Sequence, residues 1–153
     1  MAVGCKLFGD WDKITQLGSR MQTAVLQAGE RLLESIGEDL EGTVRGHMQS
    51  QDLGWPPLKP KTLAAKLKHG LSEKILIRTS HYFQAITHEV TPPFRVDVGV
   101  KRGEDADIAA IHEFGAPRAG IPPRPLWKTS VAEVEARLPE YASEFWRDVK
   151  AQL

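Results

Sequence analysis

An apolar stripe in the first third of the chain constrains the fold more than any other sequence feature. Apolar side chains recur at intervals of three or four residues from Ile14 to Met48. This spacing predicts one amphipathic α-helix, and Asp10 or Asp12 is suited to cap its start. The stripe is long for a chain of 153 residues, so we expect it either to cover the domain's own sheet or to face another subunit in part.

Glycines interrupt the stripe at five positions. They are Gly18, Gly29, Gly37, Gly42 and Gly46. Each glycine in a helix interior costs up to about 1 kcal/mol relative to alanine. We therefore expect the helix to bend, or to divide into two helices near Gly37.

Residues 86–100 have the pattern of an antiparallel hairpin. The run from Ile86 to Val90 is rich in β-branched residues, and Pro92-Pro93 separates it from a second run that starts at Phe94. In the second run apolar side chains alternate with Arg95, Asp97 and Gly99, which is the period of a half-buried strand. The sequence predicts a small two-stranded sheet here.

The remaining elements are predicted to be helices. We expect Thr62 to cap a helix over 63–69, Asp107 to cap a helix that leads to His112 after a charged loop, and Thr129 or Ser130 to open the last helix. Pro139 should kink or interrupt that last helix. The sequence thus predicts a single α+β domain over 1–153, a small sheet flanked by a long N-terminal helix and a C-terminal helix, with residues 1–9 flexible.

Two proline-rich arms, residues 50–61 and 116–127, are candidates for contact with another protein. Prolines restrict the backbone, so the side chains between them are offered in a fixed geometry. The candidate interface residues are Trp55, Lys59, Lys61, Arg118, Arg124 and Trp127. We expect Arg124 to meet a carboxylate or a backbone carbonyl, in this chain or a neighbour, and Trp127 to be largely buried; an internal clamp on the C-terminal helix is the alternative.

Lysines are concentrated in and after the first arm. Lys59, Lys61, Lys66, Lys68 and Lys74 make this the most basic part of the chain. A solvated helix face explains them, and contact with an acidic protein surface or with passing DNA is the alternative. Because basic and acidic residues number 20 each, a general nucleic-acid coat or a membrane-surface protein is disfavoured.

The sequence contains no recognisable catalytic or metal-binding motif. His112-Glu113 resembles the start of a zinc-protease motif, but the position of the second histidine is Ala116. A nucleophile elbow and a phosphate-binding loop are also missing, and the single cysteine, Cys5, cannot form an internal disulfide. We expect no catalytic residue, no cofactor, no metal and no transmembrane segment.

The turn from His112 to Gly115 is expected to be structural. Phe114 should pack in the core with Ile108 and Ile111, and Gly115 should adopt a positive φ as the helix ends. His112 lies near the negative end of the helix dipole, so we expect it to be favoured as a cation and to form a local hydrogen bond.

Three separated segments, read in order, resemble the phage virion morphogenesis family. They are Trp55-Pro-Pro-Leu-Lys-Pro-Lys-Thr62 with Lys66, then Ile75-Leu-Ile-Arg-Thr-Ser80 leading to Val96-Asp-Val-Gly99, then Ala109-Ala-Ile-His-Glu-Phe-Gly115 with Ile121-Pro-Pro-Arg-Pro-Leu126. The family-motif positions are Thr62, Lys66, Gly99, His112, Glu113, Phe114, Gly115, Pro123, Arg124 and Pro125. The chain departs from the family at Ser80, where glycine is usual, and at Ile108, where tyrosine is usual.

The resemblance implies a structural protein without catalytic activity. Such proteins complete the proximal end of a phage tail, or form part of the joint (neck) between tail and head, as a ring around the DNA channel. A hexamer is the expected ring, and the implied partners are tail terminator, tail tube or head–tail connector proteins and DNA that passes without sequence recognition. The implied location is the virion, assembled in the cytoplasm of the host bacterium.

Two other functions stay open from the sequence. One is a small regulatory or toxin–antitoxin-like protein-binding module. The other is a small hydrolase that uses His112 and Glu113.

Overall fold

A computed structural model describes residues 9–101 and 103–153 of the chain. The helices are α1 (Trp11–Ser50), α2 (Pro60–Lys68), α3 (His81–Ala85), α4 (Glu104–Phe114), α5 (Trp127–Glu135) and α6 (Leu138–Ala151), and the strands are β1 (Ile86–Thr91) and β2 (Arg95–Val100). A 3-10 turn spans Pro117–Ala119. The architecture is α+β, as predicted. The predicted flexible segment covers residues 1–9, and only residue 9 of it is among the described residues. Cys5 therefore also lies outside them.

Helix α1 is continuous, so the predicted division near Gly37 is wrong. Gly37 is buried, and a β-carbon there would lie only 2.6 Å from Cδ2 of His88 on β1. The glycine lets the hairpin approach the helix closely, and this packing offsets its poor helix propensity. The predicted cap is confirmed, because the Asp10 carboxylate accepts the backbone N–H of Lys13 at 3.3 Å.

The predicted hairpin is also confirmed. Strands β1 and β2 pair antiparallel, with Ile86 opposite Val100 and Thr91 opposite Arg95. Ile86 is completely buried and Val96, Val98 and Val100 are half-buried. The sheet therefore packs one side against α1, as its alternating sequence predicts.

Two clusters of buried side chains hold the fold together. The larger lies at the C-terminal end of α1 and consists of Val44, Met48, Trp55, Tyr82, Ile86 and Leu126. The smaller joins Ala24 and Ala28 of α1 to Val149 of α6. Alanines at the helix crossing let α1 and α6 approach closely, and the larger side chains fill the space beside α2 and the arms.

Several helix starts differ from their predictions. Helix α2 begins at Pro60, so Thr62 lies in its first turn; proline suits this place because its fixed φ is already helical. Helix α4 begins at Glu104, so Asp107 belongs to its first turn, where negative charge is favoured by the helix dipole. Neither Thr62 nor Asp107 is a cap.

The C-terminal segment forms two helices. Helix α5 ends at Glu135 and α6 begins at Leu138, with Pro139 in its first turn, so the predicted interruption is confirmed. Helix α5 begins at Trp127, and the predicted start at Thr129 or Ser130 is wrong. The Ser130 hydroxyl donates instead to the Leu126 carbonyl at 2.8 Å, inside the core.

Candidate protein-interaction site

The two proline-rich arms bind each other across the domain. The indole N–H of Trp55 donates to the carbonyl of Pro125 at 3.1 Å, and Nε of Arg124 donates to the carbonyl of Pro56 at 3.2 Å. Trp55 is 8% exposed and Arg124 is 5% exposed. The predicted contact of Arg124 with a backbone carbonyl is confirmed, and it lies within this chain. These two hydrogen bonds join the arms to each other, and neither reaches the C-terminal helix.

Glu113 supplies the cap that α5 lacks in its own sequence. Its carboxylate accepts the backbone N–H groups of Leu126, Trp127 and Lys128 at 2.7, 2.9 and 3.0 Å. The first N–H groups of a helix have no partner inside the helix, and a carboxylate there also complements the helix dipole. A carboxylate on α4 therefore fixes where α5 begins. The family motif marks Glu113, but sequence spacing alone does not show which helix it caps.

Gly115 ends α4 with φ of 77°, as predicted. A β-carbon on Gly115 would lie 2.9 Å from the backbone nitrogen of Pro123, so glycine is required by both the backbone and the space. The chain then turns through a bridge between Ala116 and Ile121 and returns to donate the N–H of Arg124 to the carbonyl of His112 at 2.6 Å. This turn places the second arm beside α4.

The predictions for His112 and Phe114 are wrong. Phe114 is 79% exposed, because the turn at Gly115 directs it away from the core, and Ile111 is 39% exposed. Only Ile108 of the predicted trio packs against the buried cluster. Burial, together with the nearby Arg124 cation, lowers the pKa of His112, so the neutral ring is favoured over the predicted cation. Its Nδ1 is buried without a hydrogen-bond partner among the described residues.

Lys66 is a buried structural residue and not part of a solvated lysine face. It is 8% exposed, and its ammonium donates to the carbonyls of Lys74 and Ile77 at 2.6 and 2.8 Å. Burial, with a smaller effect of the Arg78 charge, lowers the pKa of Lys66. This lysine ties α2 to the segment before α3. The expectation of a solvated face is thus wrong for Lys66, while Lys59, Lys61, Lys68 and Lys74 are exposed.

Gly99 and Trp127 also lie in structural positions within the fold. Gly99 lies in β2 opposite Thr87, and Trp127 is half-buried with its indole N–H donating to the Tyr82 hydroxyl at 3.1 Å. Burial raises the pKa of Tyr82 to about 12, so its phenol is neutral at ordinary pH. Trp127 also packs against the larger core cluster, in agreement with its predicted burial. Among the six candidate interface residues, the exposed ones are Lys59, Lys61 and Arg118.

An exposed apolar surface lies elsewhere, on the N-terminal part of α1. Trp11, Ile14, Leu17 and Met21 lie about one helical turn apart and are 52, 58, 48 and 46% exposed. The same stripe is buried further along α1, at Val44 and Met48. A run of exposed large apolar side chains is a feature of surfaces that bind other molecules. The spacing of the sequence includes Trp11 in this stripe, but it does not show which part of the stripe lacks cover.

The described residues offer little for chemistry. Both carboxylate oxygens of Glu113 accept backbone N–H groups. No group of three or more metal-ligating side chains is close enough to hold a metal ion in the part of the chain that the structure describes. None of the described helices has the length and apolar character that crossing a membrane would require.

Comparison with known proteins gives a family and one relative. The sequence profile of the phage virion morphogenesis family matches residues 10–142. An uncharacterized protein of Methanocaldococcus jannaschii is 26% identical over 102 residues, which cover 67% of this chain and 75% of that protein. No solved structure gives a significant match.

Proposed function

Because the chain belongs to the phage virion morphogenesis family, whose role is structural and in assembly, we propose that it completes the proximal end of a phage tail or forms part of the head–tail joint. In this proposal copies of the chain form a closed ring, a hexamer by family resemblance, around the DNA channel. The observation that carries the proposal is the family match over residues 10–142, which includes α1, both arms and the turn at Gly115.

Two features of the structure support a structural role. Trp55, Glu113 and Arg124 hold the chain's own elements in place, so these residues maintain the shape of the domain rather than supply reactive groups. The exposed apolar part of α1 is a surface suited to protein contact in an assembly. Tail terminator, tail tube or connector proteins are the proposed neighbours.

The proposed contact with DNA is without sequence recognition. DNA has to slide through the channel, so tight contacts with its phosphates would slow its passage. A chain with 20 basic and 20 acidic residues suits such a channel. Purified protein should bind duplex DNA weakly and without a preferred sequence at physiological salt, and nanomolar affinity for one site would contradict the proposal.

The test is made on phage particles. Mass spectrometry of purified virions should find the chain at a fixed number of copies per particle, and a phage with its gene deleted should produce filled heads and tails that do not join. The matched control is a phage with a stop codon in this gene, grown in a host that suppresses the codon and in a host that does not. Absence of the chain from virions, with normal joining in the deletion, would contradict the proposal and favour a regulatory binding module.

A further inference from the structure

Positive charge is concentrated at one end of the molecule. We call residues 51–80 and 115–130 the basic end; they comprise both arms, α2 and the segment after it, and contain nine basic and two acidic residues. Trp55 and Arg124 join the two parts by hydrogen bonds. The exposed cations of the basic end are Lys59, Lys61, Lys68, Lys74, Arg78, Arg118 and Lys128.

These exposed cations differ from those of the long helices. Among the residues that the structure describes, none of the seven lies in an ion pair. On the long helices, in contrast, Arg31 of α1 pairs with Asp148 of α6 at 3.2 Å, and Arg137, directly before α6, pairs with Asp39 of α1 at 2.9 Å. The cations of the long helices are thus largely paired with carboxylates of the chain, and the exposed cations of the basic end are not.

Two buried cations strengthen the positive potential of this end. Lys66 and Arg124 are 8 and 5% exposed, and their hydrogen bonds go to backbone carbonyls. Neither forms an ion pair with a carboxylate of the described residues. A buried charge without an opposite charge is costly, and its field is weakly screened. An anionic surface placed against the basic end would reduce that cost.

A surface of the opposite sign lies on the same chain. A groove of about 450 Å³ between α1 and α6 is lined by the carboxylates of Glu38, Asp39, Glu140 and Glu144, with Arg137 as the one cation. Arg137 is bound to Asp39, which also accepts the hydroxyl of Tyr141. Glu38 and Glu140 have no ion-pair partner among the described residues, and Glu144 lies 3.7 Å from the exposed Arg147. We call this surface the acidic groove.

We propose that the basic end of one copy docks on the acidic groove of a second copy. The two surfaces are different, so each copy offers one to each neighbour, and the contact repeats head to tail until the assembly closes. DNA would neutralise the basic end but leave the acidic groove unmatched. In an assembly of identical copies, each basic end meets one acidic groove, so both surfaces are neutralised. The net charge of zero for the whole chain agrees with this pairing. The inference rests on the proposed ring and names its contact.

Charge exchange tests the contact in the full chain. One variant carries Glu38→Lys and Glu144→Lys in the groove; the other carries Lys61→Glu and Arg118→Glu at the basic end. All four side chains are exposed, which keeps the effect on folding small. Glu140 is left unchanged because it lies in the first turn of α6, where its charge stabilises the helix.

The measurement is the mass of the assembly by sedimentation and native mass spectrometry at low and at physiological salt. The wild-type chain should self-associate more strongly at low salt, and each variant alone should associate at least about tenfold more weakly, because like charges then face each other. An equal mixture of the two variants should restore association, since each reversed surface then meets its opposite on the other variant. Glu135→Lys with Lys150→Glu, outside both surfaces, serves as the control with unchanged association.

Each other outcome overturns the inference. If the mixture does not restore association, the two surfaces do not meet. If only the basic-end variant has an effect, and that effect is loss of DNA binding, the basic end binds nucleic acid instead. A wild-type chain that stays monomeric at high concentration and low salt also overturns it. The proposed role in the virion is judged separately, by the presence of the chain in particles.

Discussion

The two parts of α1 carry one continuous apolar stripe, but they differ in what covers it. Between Val44 and Met48 the stripe is buried by the arms and the hairpin. Between Trp11 and Met21 the same kind of side chain is about half exposed. The difference shows that a helical pattern specifies where apolar side chains lie, while the rest of the chain determines which of them stabilise the monomer. The C-terminal part of α1 should therefore respond to mutation much more strongly than the N-terminal part.

Two tryptophans give the largest expected contrast. Trp55→Ala removes a ring from the cluster beside Met48, and we expect a loss of about 3–5 kcal/mol in the free energy of unfolding. Trp11→Ala, in the exposed part, should change it by less than about 0.5 kcal/mol. Urea denaturation followed by circular dichroism measures both. Equal losses would show that the cover which Trp55 provides over the C-terminal part of α1 contributes no more to stability than the exposed ring of Trp11.

The covered part also depends on Glu113, because it fixes the start of α5 and thereby places Leu126 in the core. Glu113→Ala leaves three backbone N–H groups without their acceptor, and we expect a loss of about 2–3 kcal/mol. Glu135→Ala, an exposed carboxylate at the other end of α5, is the control. Thermal unfolding of the two variants should differ clearly. Similar melting temperatures would show that the carboxylate of Glu113 does not cap α5.

Two glycines of α1 differ in the same way, one in the covered part and one in the exposed part. In the covered part, Gly37→Ala places a β-carbon against His88 and should cost about 1–3 kcal/mol. In the exposed part, a β-carbon added to Gly18 would have no neighbouring group within 4 Å. Gly18→Ala should therefore stabilise the helix by up to about 1 kcal/mol. The free energies of unfolding should thus change in opposite directions. Stabilisation by both substitutions would place the hairpin away from Gly37.

The smallest effect is a dependence on pH where the hairpin meets α1. His88 lies 2.7 Å from Glu41 and 3.1 Å from Glu34, and its hydrogen bonds to these carboxylates raise its pKa above the usual 6.5. A raised pKa means that the contribution of His88 to stability is fully present below pH 6.5 and is lost as pH rises through the folded-state pKa.

The wild-type chain should therefore lose stability relative to His88→Gln as the pH rises from 6.5 through the folded-state pKa of His88, measured as the difference in unfolding free energy over that range. His81→Gln is the control, since His81 is exposed and no part of this contact. A difference that is constant over the range would mean that the two glutamates do not hold the proton on His88.

Much of the fold follows from local patterns, and most of the errors come from contacts between distant segments. The period of α1, the alternation of β2 and the turn at Gly115 are properties of neighbouring residues, and all were predicted correctly. The start of α5 is set by Glu113, which precedes it by a whole arm, so the nearby Thr129 and Ser130 were misleading. Gly37 looks like a break in the sequence because the hairpin that covers it is elsewhere in the chain.

The sequence predicted which residues belong to the candidate site, but it did not predict what surrounds each of them. Prolines correctly indicated two rigid arms, but rigidity does not distinguish an arm that binds a neighbour from one that binds its own chain. Trp55 and Arg124 proved to be buried, while Lys59, Lys61 and Arg118 are on the surface; their role in an interface stays a prediction. The burial of Lys66 depends on the path of residues 74–77, which no local pattern specifies.

We propose that this chain is a ring-forming subunit of the virion, and cryo-electron microscopy of the neck of the intact phage particle would show such a ring. The account predicts a closed ring around the DNA channel, at the junction of tail and head, into which α1, the hairpin and the joined arms fit as one repeated subunit. A fully resolved neck whose density is completely explained by other proteins, with no place for this fold, would contradict it.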